Sequence, residues 1–321
     1  MKTINCGIFY EWGYDDDFMS ILSRKFEDRN VRYVIYKPGD FPTVLHELKK
    51  NNLSFGSVID RASDVDENCE GIMRILKRRG TFILNDPDRI LRASDKATMH
   101  LEFITGGLDV PYTIIISPYN SEHEITLSLG ELAKLGRPFI IKPANTTGGG
   151  IGVVTGAEGL QEVVETRQHN KDDKYLLQEK VQPLFFNGRR AWFRSFYVFG
   201  KVLTSWWDDL SHLYFVVTEE EEKMLSLYPI EEIVRKIHDI CGLDFFSTEI
   251  ALTAGTRIFT EGVGEEKNPK TDNQKFVVID YVNEMCDMRL KSKHYDGVPD
   301  EIVSEVADQI SAGIRRLIGH S

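Results

Sequence analysis

Cysteine is scarce in this chain: four residues in 321, Cys6, Cys69, Cys241 and Cys286, with no C-x-x-C pair. A disulfide framework is excluded, and the reading is reduced thiols in a cytoplasmic protein. Positive charge is also short. Lys and Arg number 39 against 50 Asp and Glu, a net charge of −11. A general nucleic-acid binder presents a basic face, so that class is set aside, while a local basic pocket for a nucleotide is still allowed. No apolar run approaches the length that spans a bilayer. The N-terminal apolar stretch is too short for a signal peptide and runs into Asp15-Asp16-Asp17, so no membrane partner is expected. There is no internal repeat, no P-loop pattern and no dinucleotide fingerprint. The eight histidines are dispersed, and no Ser/His/Asp or Cys/His arrangement stands out. His100, His123 and His238 read as structural or surface residues of helices.

What is present is an ordinary folding composition, 41% hydrophobic and 28% charged, long enough for two or three packed units. The first ninety residues alternate strand patterns (5–10, 31–36, 57–60, 81–84) with helical ones (17–28, 43–51, 67–79). Such alternation implies βαβ units and a parallel sheet. Ligands gather at the carboxyl ends of such strands. Here those ends carry Glu11-Trp12, Asp60-Arg61 and Asn85-Asp86. The pattern continues with helices over 93–105, 123–135 and 158–168 and strands over 110–116 and 175–181. The later half has another texture. Long apolar strands over 191–199 and 202–207 form a hairpin, a helix covers 230–241, and strands follow at 245–252 and 276–282. A polar stretch at 261–275 separates the last two, and an amphipathic helix over 301–318 closes the chain. The acidic run Glu219 to Glu222 reads as a solvated helix start. The expected units are residues 1–90, 91–181 and 182–321.

The most informative stretch is RPFIIKPANTTGGGIGVVTG. An apolar strand ends in Lys142, and Thr146, Thr147, Gly148, Gly149 and Gly150 form a loop before the next strand. A lysine on a strand beside a glycine loop suits phosphate: the loop offers backbone N–H groups and the lysine a point charge. Farther on, Glu249 and Asp280 each sit on a largely apolar strand, where a carboxylate is costly unless paired or metal-bound. Arg190 and Arg194 are four apart on a strand and share a face with Trp192. A basic cluster, Arg289, Lys291, Lys293 and His294, follows the last strand and would suit an anionic acceptor or a solvated loop.

The ordered set Asp95-Lys96, Lys142 with its glycine loop, Gln178-Glu179-Lys180-Val181, Glu249 and Asp280-Tyr281-Val282-Asn283 resembles the ATP-grasp superfamily. The resemblance covers residues 91–289. It implies an α/β fold in which a parallel-sheet N-terminal domain precedes two subdomains that clamp ATP. Lys96 and Lys142 resemble the family's two phosphate-contacting lysines, and Thr146 to Gly150 the loop folding over the β- and γ-phosphates. Gln178, Glu179, Lys180 and Val181 resemble the hinge that reads adenine, with Glu179 the carboxylate that can meet adenine or ribose. Glu249, Asp280 and Asn283 resemble the ligands of Mg2+, two ions by family analogy. Arg194 resembles the basic residue that reaches the γ-phosphate or the acceptor.

One departure needs a structural answer. Family members place the acid and the asparagine two residues apart, whereas Asp280 and Asn283 are three apart and would face opposite sides of a regular strand. Either the strand bulges after Tyr281 or only one of the pair binds metal, with Glu284 and Asp287 as substitutes. The resemblance implies an ATP- and Mg2+-dependent ligase that joins a small-molecule carboxylate to an amine. Two alternatives stand beside it: a kinase on the same fold acting on a small, inositol-phosphate-like acceptor, and a non-catalytic ATP-binding module. Substrate choice is expected at Tyr10 to Trp12, Asp60-Arg61, 185–190 and 206–212. A homodimer is a state common in the family.

Overall fold

The computed structural model describes residues 2–121, 125–145, 152–254 and 274–319. The glycine-loop residues Thr146 to Gly150, His123 and most of the polar stretch at 261–275 lie outside the described residues.

The N-terminal part runs β1 (Lys2–Tyr10), α1 (Asp16–Asp28), β2 (Tyr33–Tyr36), α2 (Phe41–Lys49), β3 (Leu53–Arg61), α3 (Glu67–Arg78) and β4 (Phe82–Leu84). The strands form a parallel sheet in the order β2-β1-β3-β4. Helices cover this sheet, so β1 and β3 bury residues on both faces instead of alternating. Helix α1 buries Phe18, Met19, Leu22 and Phe26, one stripe at helical spacing. Helix α3 starts where the Asp66 carboxylate accepts from the backbone N–H groups of Asn68 and Cys69.

Next come α4 (Pro87–Ser94), α5 (Lys96–Thr105), β5 (Thr113–Ile116), α6 (Leu129–Leu135), β6 (Phe139–Pro143), β7 (Val154–Ala157), α7 (Leu160–Thr166) and β8 (Tyr175–Glu179). Their strands make an antiparallel sheet ordered β5-β8-β6-β7. The single helix expected over 93–105 is two. Asp95 between them is extended, and its carboxylate caps α5 by accepting from the N–H groups of Ala97 and Thr98. Helix α6 begins later than expected, behind a capping box of Ser128 and Glu131.

The last part contains the short β9 (Phe185–Phe186) and β10 (Arg189–Arg190), then β11 (Trp192–Val198), β12 (Lys201–Asp208), β13 (Leu213–Val216), α8 (Glu219–Met224), α9 (Tyr228–Cys241), β14 (Phe245–Ala254), β15 (Gln274–Asn283) and α10 (Asp300–Gly319). The acidic run does open a helix, α8. Strands β13-β12-β11-β14-β15, in that order, form an antiparallel sheet. One face, carrying Trp192, Phe196, Trp207, Ala251 and Ile279, shares a core with β1, α1 and α10. The other face, carrying Phe193, Trp206, Ile250, Val278 and Tyr281, packs with α5 and α9. Gly313 of α10 is required by this packing, since a Cβ there would lie 2.5 Å from the Phe199 ring.

Candidate active site

Lys142 lies one residue before the end of β6, held between Ile141 and Pro143 in a buried strand. Its Nζ donates to the Ile279 carbonyl of β15 at 3.3 Å and sits 5.2 Å from the centre of the Tyr281 ring. Burial pushes the Lys142 ammonium down to about 8; the nearby Lys96 charge adds to the fall, while Asp280 and Glu249 resist it. Lys96 opens α5, and its backbone N–H donates to the Ala144 carbonyl at 3.0 Å, which anchors the helix start beside the end of β6. The structure therefore brings the two sequence-predicted lysines together.

Tyr281 organises the far side. Its hydroxyl meets His100 Nδ1 at 2.6 Å and accepts from Gln178 Nε2 at 3.2 Å, and Gln178 also donates to Thr113 Oγ1 at 3.2 Å. Burial and the Lys142 charge hold His100 down at about 4, so it is neutral at ordinary pH. Burial also raises the Tyr281 phenol. In the hinge segment, Glu179 Oε1 accepts from the Tyr112 N–H at 2.8 Å and the Glu179 N–H donates to the Tyr112 carbonyl at 2.9 Å. Lys180 is exposed and Val181 packs at the edge of a core.

The carboxylates come from the five-stranded sheet. Arg194 on β11 is the cross-strand partner of Glu249 on β14, and Glu249 is the partner of Asp280 on β15. Partners in a ladder point to one face, so the three form a row. The Arg194 guanidinium is ion-paired with Glu249 Oε1, donates to Tyr214 Oη at 3.1 Å and stacks 4.2 Å from the Trp207 ring. Glu249 Oε2 accepts from Trp192 Nε1 at 3.0 Å. Burial raises the Glu249 carboxyl and Asp280 adds to the rise, against the pull of Arg194 and Trp192. Burial works against the Arg194 charge too, but Glu249, Tyr214 and Asp280 more than offset it, and the guanidinium stays firmly charged.

Strand β15 resolves the spacing departure. Ser247 faces Asn283 while Glu249 faces Asp280, with register shifts between Ser247 and Glu249 and between Glu249 and Ile250. Three steps along β15 thus match two along β14, and the bulge turns Asn283 onto the face that carries Asp280. Glu249, Asp280 and Asn283 supply two carboxylates and an amide oxygen. These are hard donors that fit Mg2+, which keeps water for its remaining positions. Among the described residues no group of three His, Cys, Asp or Glu side chains is placed to hold a metal, so the amide matters to this set.

Several expected ligand-facing groups have internal partners instead. Asn85 donates through Nδ2 to the Phe245 carbonyl at 2.5 Å and accepts from the Phe245 N–H at 3.0 Å, binding β4 to β14. Asp86 caps α4. Arg190 is paired with both oxygens of Asp209. In the basic cluster, Arg289 is bonded to Asp287 and Asp296, Lys291 donates to the Tyr214 carbonyl, and Lys293 pairs with Asp17. Trp206 is core, donating to Glu221. The reading missed Trp192, Tyr214 and Tyr281 as parts of the site, and it read His100 as structural or surface without its link to Tyr281. Trp192 and Arg194 alternate on β11, so an aromatic with a polar tip beside the arginine was the available signal. Tyr214, His100 and Tyr281 are brought in from other elements and leave none.

A cavity of about 310 Å3 opens at the carboxyl ends of β1 and β3, lined by Glu11, Trp12, Asp15, Arg61, Asp64, Val65 and Met285. Arg61 is buried under it, donating to both oxygens of Asp15 at 2.7 and 2.9 Å and to the Cys286 carbonyl at 3.0 Å.

No protein-family model matches the chain, and no curated protein matches it in sequence. Solved structures do match in shape. The RimK-domain ATP-grasp protein of Sphaerobacter thermophilus superposes with a TM-score of 0.60 at 14% identity, over 96% of this chain and 99% of that one. The D-alanine–D-alanine ligase of Bacillus anthracis, complexed with ATP, gives 0.59 at 12% identity, over 98% of each chain. The chain has the ATP-grasp fold. A third ATP-grasp structure, the ligase PsnB with a phosphomimetic variant of its minimal precursor, Mg and ADP, gives 0.55 at 11% identity over 97% of each chain. The match runs through nearly the whole chain, so the N-terminal parallel sheet belongs to the shared ATP-grasp architecture. No helix among the described residues is long and apolar enough to cross a membrane.

Proposed function

We propose that this ATP-grasp protein is an ATP- and Mg2+-dependent ligase that joins a carboxylate to an amine. The observation that carries the reading is the opposition of a buried Lys142, with no carboxylate bonded to it among the described residues, and the row Arg194–Glu249–Asp280 on the facing sheet. Phosphoryl transfer asks a protein for positioning and charge neutralisation more than for covalent chemistry. Lys142 and Lys96 contact the phosphates; residues Thr146 to Gly150, which the resemblance assigns to the same phosphates, lie outside the described residues. Gln178 to Val181 line the adenine end, with backbone groups reading the base. Glu249, Asp280 and Asn283 would hold Mg2+, which would supply positive charge to the phosphate oxygens; structures of this fold solved with ATP, and with Mg and ADP, support the choice of these two cofactors.

The substrate carboxylate oxygen attacks the γ-phosphorus, the bond from that phosphorus to the β–γ bridging oxygen breaks, and ADP leaves. The amine nitrogen then attacks the acyl phosphate carbonyl, inorganic phosphate departs with the former carboxylate oxygen, and the nitrogen loses a proton. Arg194 stabilises charge on the transferring phosphoryl group. No side-chain nucleophile is needed, in keeping with the lack of a triad. The kinase alternative leaned on the basic cluster after β15, and Arg289, Lys291 and Lys293 there already have partners.

The test is to incubate the protein with Mg2+, ATP and a pool of amino acids, small carboxylates and phosphorylated polyols and to weigh the products. A product equal to two pool members less one water, with ADP and phosphate released, is expected. A pool member heavier by one phosphoryl group would replace the ligase reading with the kinase.

A further inference from the structure

Ser57, Ser195, Ser205 and Ser311 are each 0% exposed, and only one of them lacks a hydrogen bond. Ser57 Oγ donates to the Asn5 carbonyl at 2.9 Å, Ser311 Oγ donates to the Lys25 carbonyl at 2.8 Å, and Ser195 Oγ meets Thr204 Oγ1 at 3.0 Å. Ser205 Oγ has no partner among the described residues, and neither has the buried Nε of Arg194. A buried polar atom left unbonded is destabilising, so each such atom calls for a reason. These two atoms belong to neighbours: Ser205 on β12 is the cross-strand partner of Arg194 on β11.

The row on this face of the sheet therefore runs Ser205–Arg194–Glu249–Asp280. Arg194 stands between a carboxylate on one side and an idle hydroxyl on the other. Trp207, two residues beyond Ser205, shares that face and carries the guanidinium on its ring at 4.2 Å. Tyr214, the partner of Trp207 on β13, accepts from Arg194 Nη1 at 3.1 Å, and the two rings pack 4.5 Å apart. The β12–β13 side thus already holds the guanidinium in two ways that owe nothing to Glu249. Glu249 keeps a tie of its own, since its Oε2 accepts from Trp192 Nε1 at 3.0 Å. Opening the ion pair sets neither side chain adrift.

We propose that Ser205 is a positioning residue for Arg194, receiving the guanidinium when Glu249 turns to Mg2+. The inference rests on the reading of Glu249 as a metal ligand and deepens it. As the pair opens, Arg194 Nε–H donates to Ser205 Oγ, while the Tyr214 bond and the Trp207 stack are kept. A neutral acceptor then replaces the carboxylate, and the charge of the guanidinium is left for the phosphoryl oxygens. The rival account is an ordered water that already bridges Arg194 and Ser205 in the ATP-free protein. That account makes Ser205 matter before any nucleotide binds, whereas a receiving seat matters only afterwards.

The experiment compares the full-length protein with its Ser205→Ala variant. The ATP analogue AMPPNP is titrated into each by calorimetry, once with Mg2+ and once in EDTA, and urea denaturation is followed without nucleotide. The variant is expected to bind Mg2+–AMPPNP about tenfold more weakly, the weight of one hydrogen bond to a charged group. Its affinity in EDTA and its urea midpoint are expected to match the wild type. In proton–nitrogen correlation spectra, the Arg194 Nε–H signal is assigned by its absence from Arg194→Lys. That signal is expected to move downfield and exchange more slowly with water when Mg2+–AMPPNP binds the wild type, and to do neither in Ser205→Ala. An unchanged Mg2+–AMPPNP affinity, an equal loss in EDTA, or an Arg194 signal that ignores Mg2+–AMPPNP in the wild type overturns the proposal. A lowered urea midpoint in the variant overturns it too, because the bond to Ser205 would then exist in the free protein. If the wild type binds AMPPNP no better with Mg2+ than in EDTA, the metal reading beneath the proposal falls instead.

Discussion

The two sheets that face each other across the site treat buried charge in opposite ways. On β6, Lys142 is buried with a carbonyl and a tyrosine ring for company, and its ammonium is pushed down to about 8. On β11 and β14, Arg194 and Glu249 are as deeply placed but bonded to one another, and further tied by Tyr214 and Trp192. The first sheet holds a cation at a cost, which an incoming polyanion would relieve. The second holds its charges with counterions built in, which gives a stable frame but requires the Arg194–Glu249 pair to open if Glu249 is to bind metal. One sheet leaves its buried cation with no carboxylate bonded to it among the described residues, and the other pairs its own charges.

The largest effect should come from breaking the balanced side. Glu249→Ala leaves Arg194 buried without its carboxylate, which should cost about 3–5 kcal/mol of stability. Urea denaturation checks this, and a loss near zero would mean that Arg194 finds water instead. On the unbalanced side, Lys142→Met should do the reverse to the fold. It should lower ADP release by about 10²–10³-fold yet raise the stability of the ATP-free protein near pH 7 by on the order of 3 kcal/mol. The sign follows from the depressed value: between pH 8 and 10.5 the unfolded chain binds a proton at Lys142 that the folded chain has released. Stability of the wild type should therefore rise with pH across that window and level off above it, and the variant should lack the rise. Thermal melts of both proteins from pH 7 to 10.5 decide the matter.

A smaller change sharpens the comparison. Tyr281→Phe keeps the ring beside Lys142 but leaves His100 Nδ1 and Gln178 Nε2 without the phenol, at a cost of about 1–3 kcal/mol. Because the ring stays, the pH window assigned to Lys142 should not move; a shifted window would show that the hydroxyl, not burial, sets it. The least effect is expected at Arg289→Gln. Its partners Asp287 and Asp296 are partly exposed, so about 1 kcal/mol or less of stability is lost. Turnover in the pooled assay should hold, and its collapse would return the basic cluster to the site.

Much of the fold was legible because its signals are local. The alternation in the first ninety residues gave the parallel sheet, and the apolar runs on either side of Gly200-Lys201 gave the β11–β12 hairpin. The helix over 93–105 was misjudged because Asp95 was read as interior to a helix, when its carboxylate was competing for the N–H groups that start a new one. For the site, Lys142, Arg194, Glu249 and Asp280 could be named as charged residues on apolar strands. Their roles could not be weighed, because pairing is decided by which strand lies alongside. Arg190, equally charged and on the same face of the sequence pattern, is tied up by Asp209.

The sequence by itself determined most of the strands and helices and the placing of lysines and carboxylates on strand ends and interiors. Those depend on periodicity and on residue type, which are written along the chain. Only the tertiary structure decided that Asn283 turns to the side of Asp280, through a bulge paired against β14. It also decided that the cations after β15 are already matched, and that Glu11 and Asp64 rim a cavity floored by the Arg61–Asp15 pair. Register and charge pairing arise between segments far apart in the chain, as with Asp17 and Lys293, separated by 276 positions, and no local pattern encodes them.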